Sequence, residues 1–170
     1  MLTVREERPQ DAASITRVNE EAFAGPAEAR LVEILRHNEK ISLSLVAVIN
    51  EQLVGHILFT PMQIISPTGE THQVIGLGPL AVLPENQRHG IGSALCQKGL
   101  AMCHEAGHQA VLVLGHPTYY PRFGFQPASL FQIRCAYDVP AEAFMALELQ
   151  EGALDGVTGV AHYQPEFDGV

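Results

Sequence analysis

The sequence predicts an α/β fold built on a mixed sheet, and three observations lead to that class. Amphipathic helical segments follow a short first strand. Between residues 41 and 83 the spacing of apolar residues changes from the helical period to that of β-strands. A glycine-rich loop, a helix and a short apolar strand come next. The length of 170 residues is that of one domain, which we expect to cover residues 1–170.

Two helices are expected after the first strand, which covers residues 2–7. The first helix covers residues 8–23, with Pro9 near its start and Asp11 in a position to cap it. Its apolar residues keep helical spacing: Ala12, Ile15, Val18, Ala22 and Phe23. The second helix covers residues 26–39.

Residues 41–83 are expected to form three antiparallel strands connected as a meander. Turn residues at 50–52 and at 66–70 separate these strands. The next helix runs from Gly90 to about Glu105. Residues 109–115 then form a short apolar run that is typical of a buried, mostly parallel strand.

The C-terminal part is expected to alternate short strands with one short helix. The segment TYYPRFGF is too compact for a long helix, because Pro121 interrupts it and Gly124 ends it. Strands are expected at 130–139 and 157–163, with a helix at 140–149 between them.

Composition and charge exclude several classes of protein. The net charge of −9 disfavours a nucleic acid partner, and the same field favours a cationic substrate such as an amine. No apolar run is long enough to span a bilayer, and the charged N-terminus is unlike a signal peptide, so we expect no membrane partner. Cys96, Cys103 and Cys135 form no C-x-x-C pair. This argues against disulfides and a metal site and favours a cytoplasmic location.

The segment PENQRHGIG, residues 84–92, places two glycines between an apolar strand and a helix. Gly90 and Gly92 leave room for a ligand near the main chain, and the helix offers free N–H groups and the positive end of its dipole. Because Arg88 and His89 add positive charge, the loop is a candidate phosphate site. A tight turn that binds nothing is the alternative. The pattern fits neither a Walker loop nor a dinucleotide fingerprint.

Three motifs in combination resemble the GCN5-related N-acetyltransferase (GNAT) superfamily. Gln87-x-x-Gly90-x-Gly92 is similar to that family's pyrophosphate loop, the stretch from Leu80 to Pro84 is similar to the strand end before it, and YYPRFGF is similar to its Y-x-x-x-G-F segment. The resemblance covers about residues 3–127. The tail is similar to the YhbS-like branch of predicted acetyltransferases.

The resemblance implies a GNAT-like acyl-CoA acyltransferase fold. Such a fold has a central, mostly antiparallel sheet with splayed strands and flanking helices. Residues 128–170 would be an extension that completes the sheet.

The resemblance also implies acetyl-CoA as a cosubstrate. In this family the strand before the loop carries a bulge and splays from the next strand, which exposes main-chain groups to pantetheine. Gly76, Gly78 and Pro79 suit such an irregular strand. The cofactor-binding residues implied are Leu80, Ala81, Val82, Gln87, Arg88, His89, Gly90, Ile91, Gly92 and Ser93.

For catalysis, the resemblance assigns the acid that protonates the leaving thiolate to Tyr120, four residues before Gly124, with Tyr119 as the neighbouring alternative. A tyrosine, with a pKa of about 10, still carries its proton at neutral pH and can supply a proton or a hydrogen bond to the leaving thiolate, whose thiol has a pKa of about 8.5. The family's Asn after the fifth strand is missing, and His116 would take part of its role or act as the base. The other candidate bases are Glu20, Glu21, His56 and His72. A chain of water molecules could also deprotonate the amine.

These implications predict an acetyl-CoA-dependent N-acetyltransferase that moves the acetyl group to a primary amine by direct attack in a ternary complex. The alternative is a non-catalytic module that binds acyl-CoA as a sensor or scaffold, and the retention of Tyr120 favours the enzyme. The acceptor stays open between a small-molecule amine and a protein amine. A homodimer also stays open, because dimers are common in the family.

Overall fold

A computed structural model describes all residues from 1 to 170 and arranges nine strands in one sheet. The strands are β1 (Leu2–Glu6), β2 (Leu43–Ile49), β3 (Gln52–Ile65), β4 (Thr71–Val82), β5 (Ala110–Leu114), β6 (Gln126–Pro127), β7 (Ile133–Cys135), β8 (Phe144–Glu148) and β9 (Gly159–His162). The helices are α1 (Ala12–Phe23), α2 (Ala27–His37) and α3 (Ile91–Glu105). Short 3₁₀ turns connect several of these elements.

The sheet is mixed and mostly antiparallel, which confirms the predicted fold class. Its strands follow the order β1-β2-β3-β4-β5-β8-β6, while β9 pairs with β3 and with β7. Parallel pairing joins β4 to β5 and β7 to β9, and the other pairs are antiparallel. The predicted meander from β2 to β4 is confirmed, as is a parallel partner for the predicted strand at 109–115.

The start of α1 differs from the prediction. Residues Pro9–Asp11 form a 3₁₀ turn, and Asp11 makes no capping hydrogen bond to α1. Its carboxylate instead accepts the Arg8 N–H at 2.7 Å and pairs with Arg5 at 2.7 Å. The carboxylate therefore fixes the turn to β1. None of the helices has the length and apolar character that a membrane crossing requires.

The predicted helix at 140–149 is wrong. Only Ala141–Ala143 form a 3₁₀ turn, and the following residues are β8, which pairs along its whole length with β5. Phe144, Met145 and Ala146 are all buried in this position. Pairing with the outer edge of β5 therefore overrides the helical propensity of the segment. The predicted strand at 130–139 shortens to β7.

The core lies between the sheet and its flanking elements in two parts. The larger part joins the apolar faces of all three helices to the first five strands. The smaller part lies under the C-terminal segment, around Met62, Leu112 and Phe144. Cys96 and Cys103 are both buried and unpaired in α3, as small apolar residues would be.

An irregularity in β4 opens the sheet where the glycine loop begins. The register against β3 shifts between Ile57, which pairs with Leu80, and Phe59, which pairs with Leu77. Pairing with β5 ends at the same place, because Leu77 is the last residue of β4 that has a partner there. The bulge and the splay implied by the family resemblance are thus confirmed. They leave the β5-facing main-chain groups of residues 78–82 free of a sheet partner.

Candidate active site

The loop before α3 leaves main-chain N–H groups without helical acceptors. Gly90 is the N-cap of α3 and has a φ of 80°, in the left-handed region that favours glycine. The first helical hydrogen bond runs from the Ala94 N–H to the Gly90 carbonyl at 3.0 Å. The N–H groups of Ile91, Gly92 and Ser93 therefore have no acceptor in the helix, and they lie at the positive end of its dipole.

A cavity of about 530 Å³ lies over this loop, and we call it the loop cavity. Eight of the ten residues implied for the cofactor line it: Leu80, Val82, Gln87, Arg88, Gly90, Ile91, Gly92 and Ser93. A Cβ atom placed on Gly92 would lie 3.0 Å from the Tyr119 hydroxyl, so the absence of a side chain keeps the floor open. Free N–H groups beneath such a cavity form a site suited to a phosphate.

The other two implied residues, Ala81 and His89, lie outside the loop cavity. The Ala81 side chain is buried in the core, and Ala81 pairs with His56 of β3. The His89 ring is exposed, with its Nδ1 atom 3.2 Å from the Asn86 carbonyl. Gln87 has a structural contact as well, because its side-chain amide donates to the Val82 carbonyl at 3.0 Å and ties the loop to the end of β4.

Two arginines supply positive charge at the loop cavity. Arg88 was expected there, whereas Arg122 was not considered in the sequence analysis. The Arg122 guanidinium stacks 4.2 Å from the centre of the Tyr119 ring, and its Nε donates to the Tyr119 carbonyl at 2.8 Å. The basic residue inside the YYPRFGF motif was the available signal. Both guanidiniums favour an anionic ligand.

A second cavity, of about 550 Å³, lies where β4 and β5 splay, and we call it the wedge cavity. Its lining comes from the bulge of β4, the end of β5, the α1–α2 region and the C-terminal segment. Leu80 and Tyr119 line both cavities. The two cavities therefore adjoin at these side chains and can hold the two ends of one extended ligand.

Tyr120 lines the wedge cavity and is 8% exposed. Its ring packs edge-on against Phe125, with 5.8 Å between ring centres, and a side chain on Gly115 would collide with it. The Tyr120 hydroxyl makes no hydrogen bond to the protein and is not sealed from solvent. Burial raises the pKa of Tyr120, so its hydroxyl keeps its proton at neutral pH and is available as a hydrogen-bond donor.

Tyr119 occupies the junction between the cavities. Its hydroxyl lies 3.4 Å from the Ser93 Oγ atom in the first turn of α3. Burial raises the pKa of Tyr119 as well. The rings of Tyr119 and Tyr120 are nearly perpendicular, with their centres 5.1 Å apart. Tyr120 lines only the wedge cavity, whereas Tyr119 lines both cavities.

Of the five candidate bases, His116 alone lines the wedge cavity, where its side chain is exposed. Glu20 and Glu21 are exposed on α1, and Glu21 pairs with Arg17. His72 lines a separate depression, and His56 is completely buried. No group of three or more His, Cys, Asp or Glu side chains is arranged to hold a metal ion.

Glu28 is a residue that the sequence analysis missed. It lies in α2 and lines the wedge cavity with its side chain half-buried. No local motif marks it, because only the packing of α2 beside the splayed strands brings it to this cavity.

Comparison with known proteins agrees with this geometry. A sequence profile described as an acetyltransferase (GNAT) domain matches residues 3–128. The chain is 36% identical over 168 residues to YhbS of Escherichia coli strain K12, named an uncharacterized N-acetyltransferase, and the match covers 98% of this chain and 99% of YhbS.

Two solved structures are similar over nearly the whole chain. YhbS from Escherichia coli in complex with CoA superposes with a TM-score of 0.92 at 36% identity, over 98% of this chain and 91% of that one. A GNAT family acetyltransferase from Brucella melitensis in complex with acetyl-CoA superposes with a TM-score of 0.82 at 36% identity, over 99% of both chains. The profile match and these full-length similarities together show that the chain belongs to the GNAT superfamily of N-acetyltransferases.

Proposed function

We propose that this protein transfers the acetyl group of acetyl-CoA to a primary amine by direct attack in a ternary complex, with residues 1–170 acting as one transferase domain. The observation that carries the proposal is the junction of the two cavities at Leu80 and Tyr119. One cavity contains free N–H groups suited to a pyrophosphate. The other contains the protonated hydroxyl of Tyr120, where a thioester would react.

The relatives of known structure support this position for the cofactor, because the Escherichia coli protein binds CoA and the Brucella melitensis protein binds acetyl-CoA. We assign the pyrophosphate to the N–H groups at residues 91–93, with Arg88 and Arg122 beside it. Pantetheine would follow the unpaired edge of β4 from Val82 towards Gly78. The acetyl thioester would then enter the wedge cavity.

The reaction needs a neutral amine, a donor for the developing oxyanion and a proton for the thiolate. The amine nitrogen attacks the acetyl carbon, the C–N bond forms, and the C–S bond breaks as the tetrahedral intermediate collapses. We assign the donor for the oxyanion to the main chain of β4 beyond the end of its pairing with β5. We assign the proton donor for the thiolate to Tyr120, whose hydroxyl has no competing partner in the protein.

The proton that the amine loses requires an acceptor. We assign this role to His116, because it is the candidate base that lines the wedge cavity. Its exposure gives the proton a route to solvent, either directly or through water molecules.

The cysteines and the net charge of the protein bear on its location and its partners. We propose a cytoplasmic location, because Cys96, Cys103 and Cys135 are all unpaired. The net charge of −9 supports an amine acceptor and disfavours nucleic acid as a partner. The geometry of the site requires no second copy of the chain, so a homodimer stays an open arrangement.

The proposed function is tested by incubating the protein with acetyl-CoA and a panel of primary amines, and by following the release of the CoA thiol. We expect release to depend on an amine and to yield one acetylated amine for each thiol. Tight binding of acetyl-CoA without amine-dependent release would instead support a sensor or scaffold. Failure to bind acetyl-CoA at all would show that the loop cavity is not a cofactor site.

A further inference from the structure

The wedge cavity gathers most of the aromatic side chains of this protein. The chain has four tyrosines, seven phenylalanines and no tryptophan. All four tyrosines and two of the phenylalanines line this single cavity: Phe23, Tyr119, Tyr120, Tyr137, Tyr163 and Phe167. Aromatic side chains can pack at any position in a hydrophobic core. Their concentration around one open cavity therefore indicates a ligand with apolar surface.

The aromatic wall formed by the C-terminal segment is fixed before any ligand binds. Tyr137 and Tyr163 stack with 5.8 Å between ring centres and 16° between ring planes, and Phe167 lies 4.9 Å from Tyr163. The Tyr137 hydroxyl donates to the Asp168 carboxylate at 2.6 Å. Glu166 pairs at 2.9 Å with Lys40, which lies just beyond the end of α2. A fixed wall loses little conformational entropy when a ligand binds.

The charges around the wedge cavity favour one cation and disfavour further charge. Glu28 is the only carboxylate side chain in the lining, and neither lysine nor arginine lines it. An amine arrives in its ammonium form, which both the carboxylate and the aromatic faces attract. A second ammonium or a carboxylate on the same molecule would meet apolar walls without a partner.

The mouth of the wedge cavity also leaves large apolar side chains in contact with water. Phe23 is 40% exposed, Leu114 is 38% exposed and Val170 is 57% exposed. The cavity of about 550 Å³ must hold the acetyl thioester as well as the acceptor. The acceptor is therefore small, and a flat ring matches the stacked wall better than a linear chain does.

We infer that the acceptor is a small, apolar primary amine with an aromatic or similarly flat group, bound in the wedge cavity with its amine on the side of Glu28. This inference rests on the proposed acetyl transfer. The ammonium first releases one proton to become a neutral amine. The amine nitrogen then forms a bond to the acetyl carbon, the C–S bond breaks, the nitrogen loses its second proton and the thiolate takes one, so one proton is released to solvent overall. The products are an uncharged N-acetyl amide and CoA.

The test compares kcat/KM for five acceptors at saturating acetyl-CoA. The probes are 2-phenylethylamine, putrescine, phenylalanine, methylamine and a peptide with a single lysine and a blocked N-terminus. We expect 2-phenylethylamine to exceed each of the others by at least about tenfold, the discrimination that an apolar pocket provides. Phenylalanine differs from 2-phenylethylamine by its carboxylate alone and so tests the charge argument.

Two variants separate the aromatic lining of the wedge cavity from the Glu28 carboxylate. Phe23→Ala should raise KM for 2-phenylethylamine by about threefold to tenfold and leave KM for methylamine unchanged, because methylamine has no ring to pack against the Phe23 side chain. Glu28→Gln should raise KM for both amines by about threefold to fivefold. The matched control is Ile34→Ala, since Ile34 is 47% exposed on α2 and does not line the cavity. It should leave every constant unchanged.

The outcomes distinguish this inference from the proposed function. If putrescine, phenylalanine or the lysine peptide is the best acceptor, acetyl transfer stands and the aromatic-amine inference is overturned. If Ile34→Ala changes the constants as much as Phe23→Ala does, the aromatic lining has no specific role and the inference is overturned. If no amine releases thiol, the inference also fails, and a parallel titration with acetyl-CoA shows whether the cofactor site fails with it.

Discussion

The buried imidazole of His56 predicts how the stability of the fold depends on pH. His56 lies between α1 and β2, with Nδ1 3.2 Å from the Asn19 amide nitrogen and Nε2 3.0 Å from the Ser44 Oγ. The Asn19 amide can only donate here, so Nδ1 accepts and Nε2 carries the hydrogen. Ser44 in turn donates to the Glu7 carboxylate, which pairs with Arg36 at 2.9 Å. The neutral imidazole therefore fits this network.

Burial lowers the pKa of His56 from its ordinary 6.5 to about 4. The unfolded chain therefore binds a proton at a higher pH than the folded chain does. The stabilisation that depends on neutral His56 is fully present above a pH of 6.5 and decreases as the pH falls below that value. It stops changing near pH 4, where the folded protein also binds the proton. A difference of about 2.5 pH units corresponds to about 3 kcal/mol, of which about 2 kcal/mol is lost between about pH 7 and about pH 4.5.

Urea unfolding at a series of pH values measures this loss. The wild-type protein should lose about 2 kcal/mol of unfolding free energy between about pH 7 and about pH 4.5. His56→Gln removes the titrating group, so its curve should be flatter over the same range. His104→Gln is the matched control, because it removes an exposed imidazole from α3 and should keep the wild-type slope.

The Asp11 carboxylate acts at lower pH and does not obscure this effect. The hydrogen bond from Arg5 lowers the pKa of Asp11, so the stabilisation from Asp11 is complete above about pH 4 and is lost only below it. A wild-type curve that is flat from about pH 7 to about pH 4.5, or a His56→Gln curve of equal slope, would refute the neutral buried imidazole.

Three further changes test the site. Tyr120→Phe should lower kcat by about tenfold to a thousandfold with similar acetyl-CoA affinity, and a larger loss in Tyr119→Phe would move the acid to Tyr119. Gly92→Val crowds the Tyr119 hydroxyl and the pyrophosphate site. Calorimetry should therefore show weaker binding of acetyl-CoA but little change for a phosphate-free pantetheine fragment. Unchanged acetyl-CoA affinity in a folded variant would show that the loop is not part of the cofactor site. Gly115→Ala displaces the Tyr120 ring and should lower kcat with little effect on acetyl-CoA binding, whereas a wild-type kcat would show that the position of this ring does not matter.

Local patterns were sufficient to predict the parts of the fold that depend on local contacts. The meander from β2 to β4 follows from alternation and turn residues, and Asn50 and Glu51 adopt the positive φ values that a two-residue hairpin turn needs. The loop and the start of α3 could be predicted from Gly90, because this residue caps the helix with a left-handed backbone conformation that favours glycine. The prediction failed at 140–149, where the partner strand lies about 30 residues earlier in the chain.

In the candidate site, too, the residues that share a local motif were predicted and those from distant segments were not. The motif around Gly90 and Gly92 identified most of the residues that line the loop cavity. Glu28, Arg122 and the aromatic wall at Tyr137 and Tyr163 come from distant segments, and only the folded sheet brings them together. Sequence spacing contains no information about such contacts, because they depend on how α2 and the C-terminal segment pack beside the splayed strands.

Direct acetyl transfer to an amine at the junction of the two cavities can be followed in a single turnover. An excess of the protein is mixed with acetyl-CoA that carries ¹³C in its acetyl group, and 2-phenylethylamine or another amine that supports turnover is added. Mass spectrometry then follows the label through a single turnover. If the amine attacks directly, the label moves from the thioester to the amine at the rate at which CoA thiol appears, and the mass of the protein never changes. Tyr120→Phe should slow both signals together. A labelled acetyl-protein that forms before the amide would contradict direct attack, and retention of the label on CoA with every amine would contradict the enzyme itself.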